Sequence, residues 1–174
     1  MTLLDDLDFD LKAPNIAQRG MQRIASTRPG AWLFSVSLQP VDRLLFDKSK
    51  GRITVPGLMA GLPVIMVTTT GAKSGKPRTS PLLGLPVDGS LAVIGSNFGQ
   101  ESTPGWVYNL ESNPTATVGY RDRTVDVTAR LADDDEADAT FVSASSVYGG
   151  YAKYRERADH RTIRVFVLDA DSVD

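Results

Sequence analysis

Lys73, Ser74, Lys76 and Arg78 crowd one short stretch that also holds Gly71 and Gly75. Lysine ammonium groups supply point charges, the arginine guanidinium a planar fork, and the serine hydroxyl a further donor, a set suited to a phosphate. Glycines at 71 and 75 permit positive φ, so successive backbone N–H groups can turn inward as an anion-binding concavity. The same residues are also ordinary hairpin-turn formers, and the stretch alone fits either reading. The glycine spacing is not that of a Walker A loop.

A second constellation is Tyr148, Tyr151 and Tyr154. Spaced three apart, they share one helical face, where each ring can form a wall and each O–H can donate. Gly149 and Gly150 argue against a rigid helix there, and three edge aromatics with no chemical role fit the same pattern. Ser96 closes an apolar run just before a polar loop, where a hydroxyl can face a site. Trp106 and Asn109 lie three apart on a short helix and serve equally well as cavity lining or as core anchor and cap. The one histidine, His160, sits between Asp159 and Arg161 and receives no role.

The elements that must position these groups follow from periodicity. Val64–Thr70 is an apolar, β-branched strand, and the cationic stretch is its turn into a second strand. That strand includes 81–86, with Pro81 marking it as irregular or at an edge. Asp88-Gly89 is a hairpin signal before a third strand over 90–96. Thr103-Pro104 predicts an N-cap followed by proline at the first helical position, and the helix stops at Asn113-Pro114. Residues 115–120 and 124–131 alternate as a hairpin across Arg121–Arg123. The acidic run 133–136 reads as the start of a helix reaching Val147, where negative charge is favoured, and not as a metal site. A last strand covers 162–168.

Ahead of these strands, residues 1–14 are acidic and read as a loose arm. A short helix is expected from Asn15 to Ser26, a second helical segment from Ala31 to about Asp47 that Pro40 kinks, and a loop over 48–63. Short antiparallel strands with helices between them make the chain α+β, a small barrel with peripheral helices.

The chain has 174 residues, 41% hydrophobic and 23% charged, which suits one folded domain. Its net charge of -2 argues against a nucleic-acid binder. With no cysteine and a single histidine, thiolate chemistry is excluded and a histidine-based triad or metal site disfavoured. No apolar run approaches the ~20 residues of a membrane span. The acidic N-terminus lacks the basic region of a signal peptide, so a cytoplasmic protein is expected. The segment around Trp32, Leu33 and Phe34 suits core packing, with weak peripheral contact to the inner face of the plasma membrane as the alternative.

Taken in order, Thr68-Thr69-Thr70-Gly71-Ala72-Lys73-Ser74-Gly75-Lys76-Pro77-Arg78, Pro81-Leu82-Leu83, Pro104-Gly105-Trp106-Val107-Tyr108-Asn109-Leu110-Glu111-Ser112-Asn113-Pro114 and Tyr148-Gly149-Gly150-Tyr151-Ala152-Lys153-Tyr154 closely resemble the deazaflavin-dependent nitroreductase family. The match runs from about residue 31 to 169. It implies a split β-barrel, of the kind shared with FMN-binding and pyridoxamine-phosphate-oxidase-like proteins, over residues 31–174, with residues 1–30 as an arm and short helix outside it.

The resemblance also implies coenzyme F420, a 5-deazaflavin with a phosphodiester and a glutamate tail, and hydride transfer to a quinone, nitroaromatic or activated enone. By that resemblance Lys73, Ser74, Gly75, Lys76 and Arg78 hold the phosphate. Pro81, Leu82, Leu83, Asn97, Trp106 and Asn109 border the cofactor. Ser96, Tyr148, Tyr151 and Tyr154 line the acceptor pocket, where an O–H can stabilise developing negative charge. This chain departs from the family pattern at Leu83-Gly84, where an aromatic residue occurs, and at Asn97, where many members have lysine. Two alternatives remain at this point, an FMN-dependent oxidoreductase of the same fold and a non-catalytic carrier of F420 or an apolar ligand.

Overall fold

A computed structural model describes residues 2–10, 62–97, 100–147, 151 and 162–171. The helices expected over 15–26 and 31–47, the loop over 48–61, the boundary at residue 30, Tyr148, Tyr154 and His160 lie outside the described residues.

Seven antiparallel strands form one sheet: β1 (Val64–Thr70), β2 (Pro77–Leu83), β3 (Leu85–Val87), β4 (Ser90–Ile94), β5 (Thr115–Tyr120), β6 (Arg123–Leu131) and β7 (Val165–Ala170). Their order is β2-β1-β5-β6-β7-β4-β3. The sheet curls far enough for β2 to touch β4, the arrangement of a split β-barrel. Three helices are described with it: α1 (Leu3–Leu7), α2 (Gly105–Ser112) and α3 (Asp134–Val147).

Strand positions follow the side-chain pattern. Along β1, Ile65, Val67 and Thr69 alternate onto the buried face. β4 and β7 are apolar without alternation, and each is buried on both faces. Leu91, Val93, Phe166 and Leu168 enter the main core with Trp106 and Val107. Ala92, Ile94 and Val165 join Phe141, Ala144 and Tyr151 on the opposite side. β2, which carries Pro81, is an edge strand as expected. Asp88 and Gly89, with φ of 45° and 85°, make the expected tight turn between β3 and β4.

The loose arm is not what forms over residues 2–10. There the acidic residues cap a helix. The Thr2 hydroxyl accepts from the Asp5 N–H, while the Asp5 carboxylate accepts from the Thr2 N–H at 3.0 Å. Leu3 and Leu7, four apart, are thereby driven into the main core. Phe9 packs on Tyr120 with ring centroids 4.8 Å apart, and the Arg123 guanidinium donates to the Asp6 carbonyl. The acidity read as solvation is a capping signal.

Helix α2 also departs from expectation in one detail. Pro104 itself occupies the N-cap position, with no side-chain cap, in place of Thr103. At α3 the acidic run does what its position predicts. The Asp133 carboxylate accepts from the Glu136 N–H at 2.8 Å, and the Glu136 carboxylate accepts from the Asp133 N–H at 3.1 Å.

Candidate functional site

The stretch from Gly71 to Lys76 is a tight turn between β1 and β2. The Gly71 N–H donates to the Lys76 carbonyl at 2.9 Å, and the Ser74 and Gly75 N–H groups both donate to the Gly71 carbonyl. The Lys76 N–H donates to Ser74 Oγ, and the Ala72 N–H donates to Asn109 Oδ1 at 2.9 Å. These bonds overturn one expectation. The N–H groups of residues 71, 72, 74, 75 and 76 are all committed inside the protein, so the turn is not a nest of free backbone donors. Its capacity for an anion lies in side chains.

The two glycines also serve different ends. Gly75 has φ of +62° and open space around it, so it is glycine for its backbone. Gly71 has no positive φ. A Cβ there would meet Ser74 Oγ at 2.6 Å, so it is glycine for lack of room.

Lys73, Ser74, Lys76 and Arg78 all project into solvent. Among the described residues no carboxylate pairs with Lys73, Lys76 or Arg78. Three cations with no carboxylate partner among the described residues thus stand together on one hydrogen-bonded turn, in a chain of net charge -2. Ser74 accepts the Lys76 N–H through its oxygen, which leaves its O–H proton to donate outward.

Helix α2 joins this turn to the other expected site residues. Trp106 is buried and packs edge-on to Phe166, with ring centroids 6.0 Å apart, as a core anchor of the helix. One turn later, Asn109 reaches the cationic turn. On its other flank α2 meets the end of β4, where a Cβ on Gly95 would lie 2.8 Å from Val107 Cγ2. The Glu111 carboxylate pairs with Arg164, whose carbonyl accepts from the Gly95 N–H.

Ser96 follows directly and is 6% exposed. Tyr151 is buried in the same cluster as Ile94, two residues before Ser96. The turn and the strand end that carries Ser96 thus share α2 as a neighbour, whereas Tyr151 packs with Ile94 in the second cluster on the opposite side of the sheet. Leu82 packs on the main core and Leu83 on the second cluster, while Pro81 is exposed. Asn97, with φ of 47°, donates its amide to the Ser102 carbonyl at 2.9 Å and so closes the polar loop after β4.

Thr69 escaped the sequence reading. It is a hydroxyl on the buried face of β1, 2% exposed, and accepts from Asn109 Nδ2 at 2.9 Å. Its position in the apolar alternation of β1 was the available signal, since a buried hydroxyl demands a partner.

Comparison with known proteins gives a consistent picture. The model of the F420H(2)-dependent quinone reductase family matches residues 43–170. An F420H(2)-dependent quinone reductase of Mycobacterium tuberculosis is 29% identical over 138 residues, covering 76% of this chain and 90% of that protein. A solved F420-H2 dependent reductase is 37% identical, covering 61% of this chain and 93% of its own, with a TM-score of 0.56. A second solved structure, described as a domain-swapped dimer, is 32% identical, covers 80% of this chain and 98% of its own, and has a TM-score of 0.58.

Proposed function

Because the chain belongs to the F420H(2)-dependent quinone reductase family, we propose that its β1–β2 turn grips the phosphodiester of coenzyme F420 beside a quinone site near Ser96. The protein is an oxidoreductase that uses F420, and hydride transfer to a quinone fits its family. The observation that carries the site reading is the turn itself, a backbone closed by internal hydrogen bonds that carries three cations with no carboxylate partner among the described residues. The backbone beneath these charges needs no rearrangement to receive an anion, and only the exposed side chains have to be ordered.

The residues divide by chemistry. Lys73 and Lys76 neutralise the phosphodiester, Arg78 offers a planar pair of donors, and Ser74 donates its O–H. Leu82, on the strand leaving the turn, supplies apolar surface for the ring, while Leu83 on the opposite face ties that strand to the second cluster. Trp106 holds α2 in place from the core, and Asn97 shapes the loop that follows Ser96. When bound, the reduced deazaflavin supplies the hydride that a quinone accepts. Ser96 and Tyr151, with Tyr148 and Tyr154 from the same segment, donate hydrogen bonds to the quinone oxygen as charge develops on it. A quinone is the small-molecule acceptor most in keeping with the family.

No described helix is long and apolar enough to cross a membrane, and contact with lipid through residues 15–47 is part of the proposal only as a route to lipid-soluble quinones.

Absorbance or fluorescence titration with F420 tests this reading. The wild-type protein should bind at micromolar concentrations, with affinity falling as salt screens the exposed cations. The Lys73→Ala/Arg78→Ala variant should lose several kcal/mol, on the scale of charge-assisted hydrogen bonds, together with most of the salt dependence. Wild-type affinity in that variant would remove the turn from the cofactor site.

A further inference from the structure

Asn109 lies 37 positions after Ala72 and 40 after Thr69, yet its carboxamide is bonded to both. Oδ1 accepts from the Ala72 N–H at 2.9 Å and Nδ2 donates to Thr69 Oγ1 at 2.9 Å. Thr69 in turn donates its hydroxyl proton to the Arg78 carbonyl at 3.3 Å. The direction of this chain is fixed at both ends. A backbone N–H can only donate, so Oδ1 must face Ala72, and the NH2 group is left to face the buried threonine. One side chain on α2 therefore holds the entry of the cationic turn, and through Thr69 it holds the strand that carries Arg78.

We propose that Asn109 is a positioning residue for the anion site, acting through the turn and through Thr69. The turn closes through its own backbone bonds and needs no help from α2 to form. What those bonds do not fix is where the turn sits relative to α2, and hence where Lys73, Lys76 and Arg78 stand relative to the ring end of the site. Asn109 supplies that link. It stands on a helix anchored by buried Trp106, Val107 and Leu110 and by the Glu111–Arg164 ion pair, so the link has a rigid foot. Removing it should leave the turn folded but free to tilt. The consequence for catalysis rests on reading the turn as the F420 anchor; the structural consequence does not.

Amide hydrogen exchange in the protein without added cofactor tests the structural part. In Asn109→Ala, exchange at the Ala72 amide should accelerate about tenfold, the scale of one lost hydrogen bond, while the β-sheet core keeps its protection. The functional part is read from F420 titration and from KM. Asn109→Ala and Thr69→Val should each weaken F420 binding by about tenfold and raise KM for F420H2 without raising KM for the quinone. Thr69→Ser, which keeps the hydroxyl, should bind F420 like wild type. The Asn109→Ala/Thr69→Val double variant should be no weaker than Asn109→Ala alone, because the two residues belong to one chain of bonds.

Unchanged exchange at Ala72 would overturn the positioning role. So would strictly additive losses, or a Thr69→Ser variant as weak as Thr69→Val, since packing would then explain the effect. If Asn109→Ala does not fold, the Thr69 pair decides the question. A wild-type protein that does not bind F420 would defeat the anchor reading, while the exchange result would still decide whether Asn109 holds the turn.

Discussion

A Cβ added to Gly95 would lie 2.8 Å from Val107 Cγ2 and 3.2 Å from the Arg164 carbonyl, so β4 ends directly against the first turn of α2. Ser96 is the next residue, and its place is set by this contact. Helix α2 thus touches the strand end that carries Ser96 and, through Asn109, the turn that carries the cations.

Gly95→Ala should force these elements apart. The expected cost is about 1–3 kcal/mol in urea unfolding, the usual range for overpacking a close contact. Because Ser96 moves with the strand end, KM for the quinone should rise more than KM for F420H2. Equal effects on both would mean that the displacement is absorbed elsewhere.

The two glycines of the cationic turn should respond differently to substitution. At Gly75 the space is open and the backbone is left-handed, so Gly75→Ala should cost about 1–2 kcal/mol, and Gly75→Asn clearly less, since asparagine tolerates that region. At Gly71 the limit is steric, so alanine and asparagine should both be destabilising there. Thermal unfolding of the four variants checks the contrast.

Leu7 has no exposed surface and sits in the main core. Leu7→Ala should destabilise by about 2–5 kcal/mol, the range for emptying a buried leucine site. Asp6→Ala, one residue earlier and partly exposed, should be close to neutral, because the Arg123 bond is to its carbonyl. If Leu7→Ala is equally mild in urea unfolding, α1 is not a structural part of the barrel.

Arg130 donates through both terminal nitrogens to Glu136, at 2.7 and 2.8 Å, and approaches Asp169 at 3.3 Å. The Arg130 hydrogen bonds, followed by that from the Asp133 backbone, hold the Glu136 carboxyl down to about 2 from its ordinary 4.5. A depressed carboxyl contributes stability above its unfolded pKa and loses it as pH falls through the folded value. The melting-temperature gap between wild type and Glu136→Gln should therefore be constant above pH 4.5 and close as pH falls toward 2. The pair is solvent-exposed, so the gap should be small and should shrink in salt. A gap that persists at the acid end would assign the effect to capping geometry and not to charge.

The cationic turn, the capped start of α3 and most strands could be read from the sequence, but the stretch 81–86, read as part of one strand, is broken at Gly84 into β2 and β3. Each depends on local chemistry: β-branched alternation in Val64–Thr70, glycine at a left-handed position in Gly75, carboxylates beside free helix N–H groups at Asp133 and Glu136. The continuous apolar runs at Leu91–Ile94 and Val165–Leu168 likewise announced strands, and the structure adds that both faces of each are covered. The acidic N-terminal residues were misread because the same carboxylates that solvate a loose arm also cap a helix, and only the pocket awaiting Leu3 and Leu7 decides between them.

The tertiary structure alone decided how the site is assembled. A hydrogen bond between residues 37 apart, such as that from Ala72 to Asn109, leaves no periodic trace. Sequence gives the donors and acceptors of the cationic turn but not their partners, and the internal commitment of its N–H groups leaves side chains as the groups free to meet an anion. The residue types set which chemistry was available; the curl of the sheet and the placement of α2 set which of those groups meet.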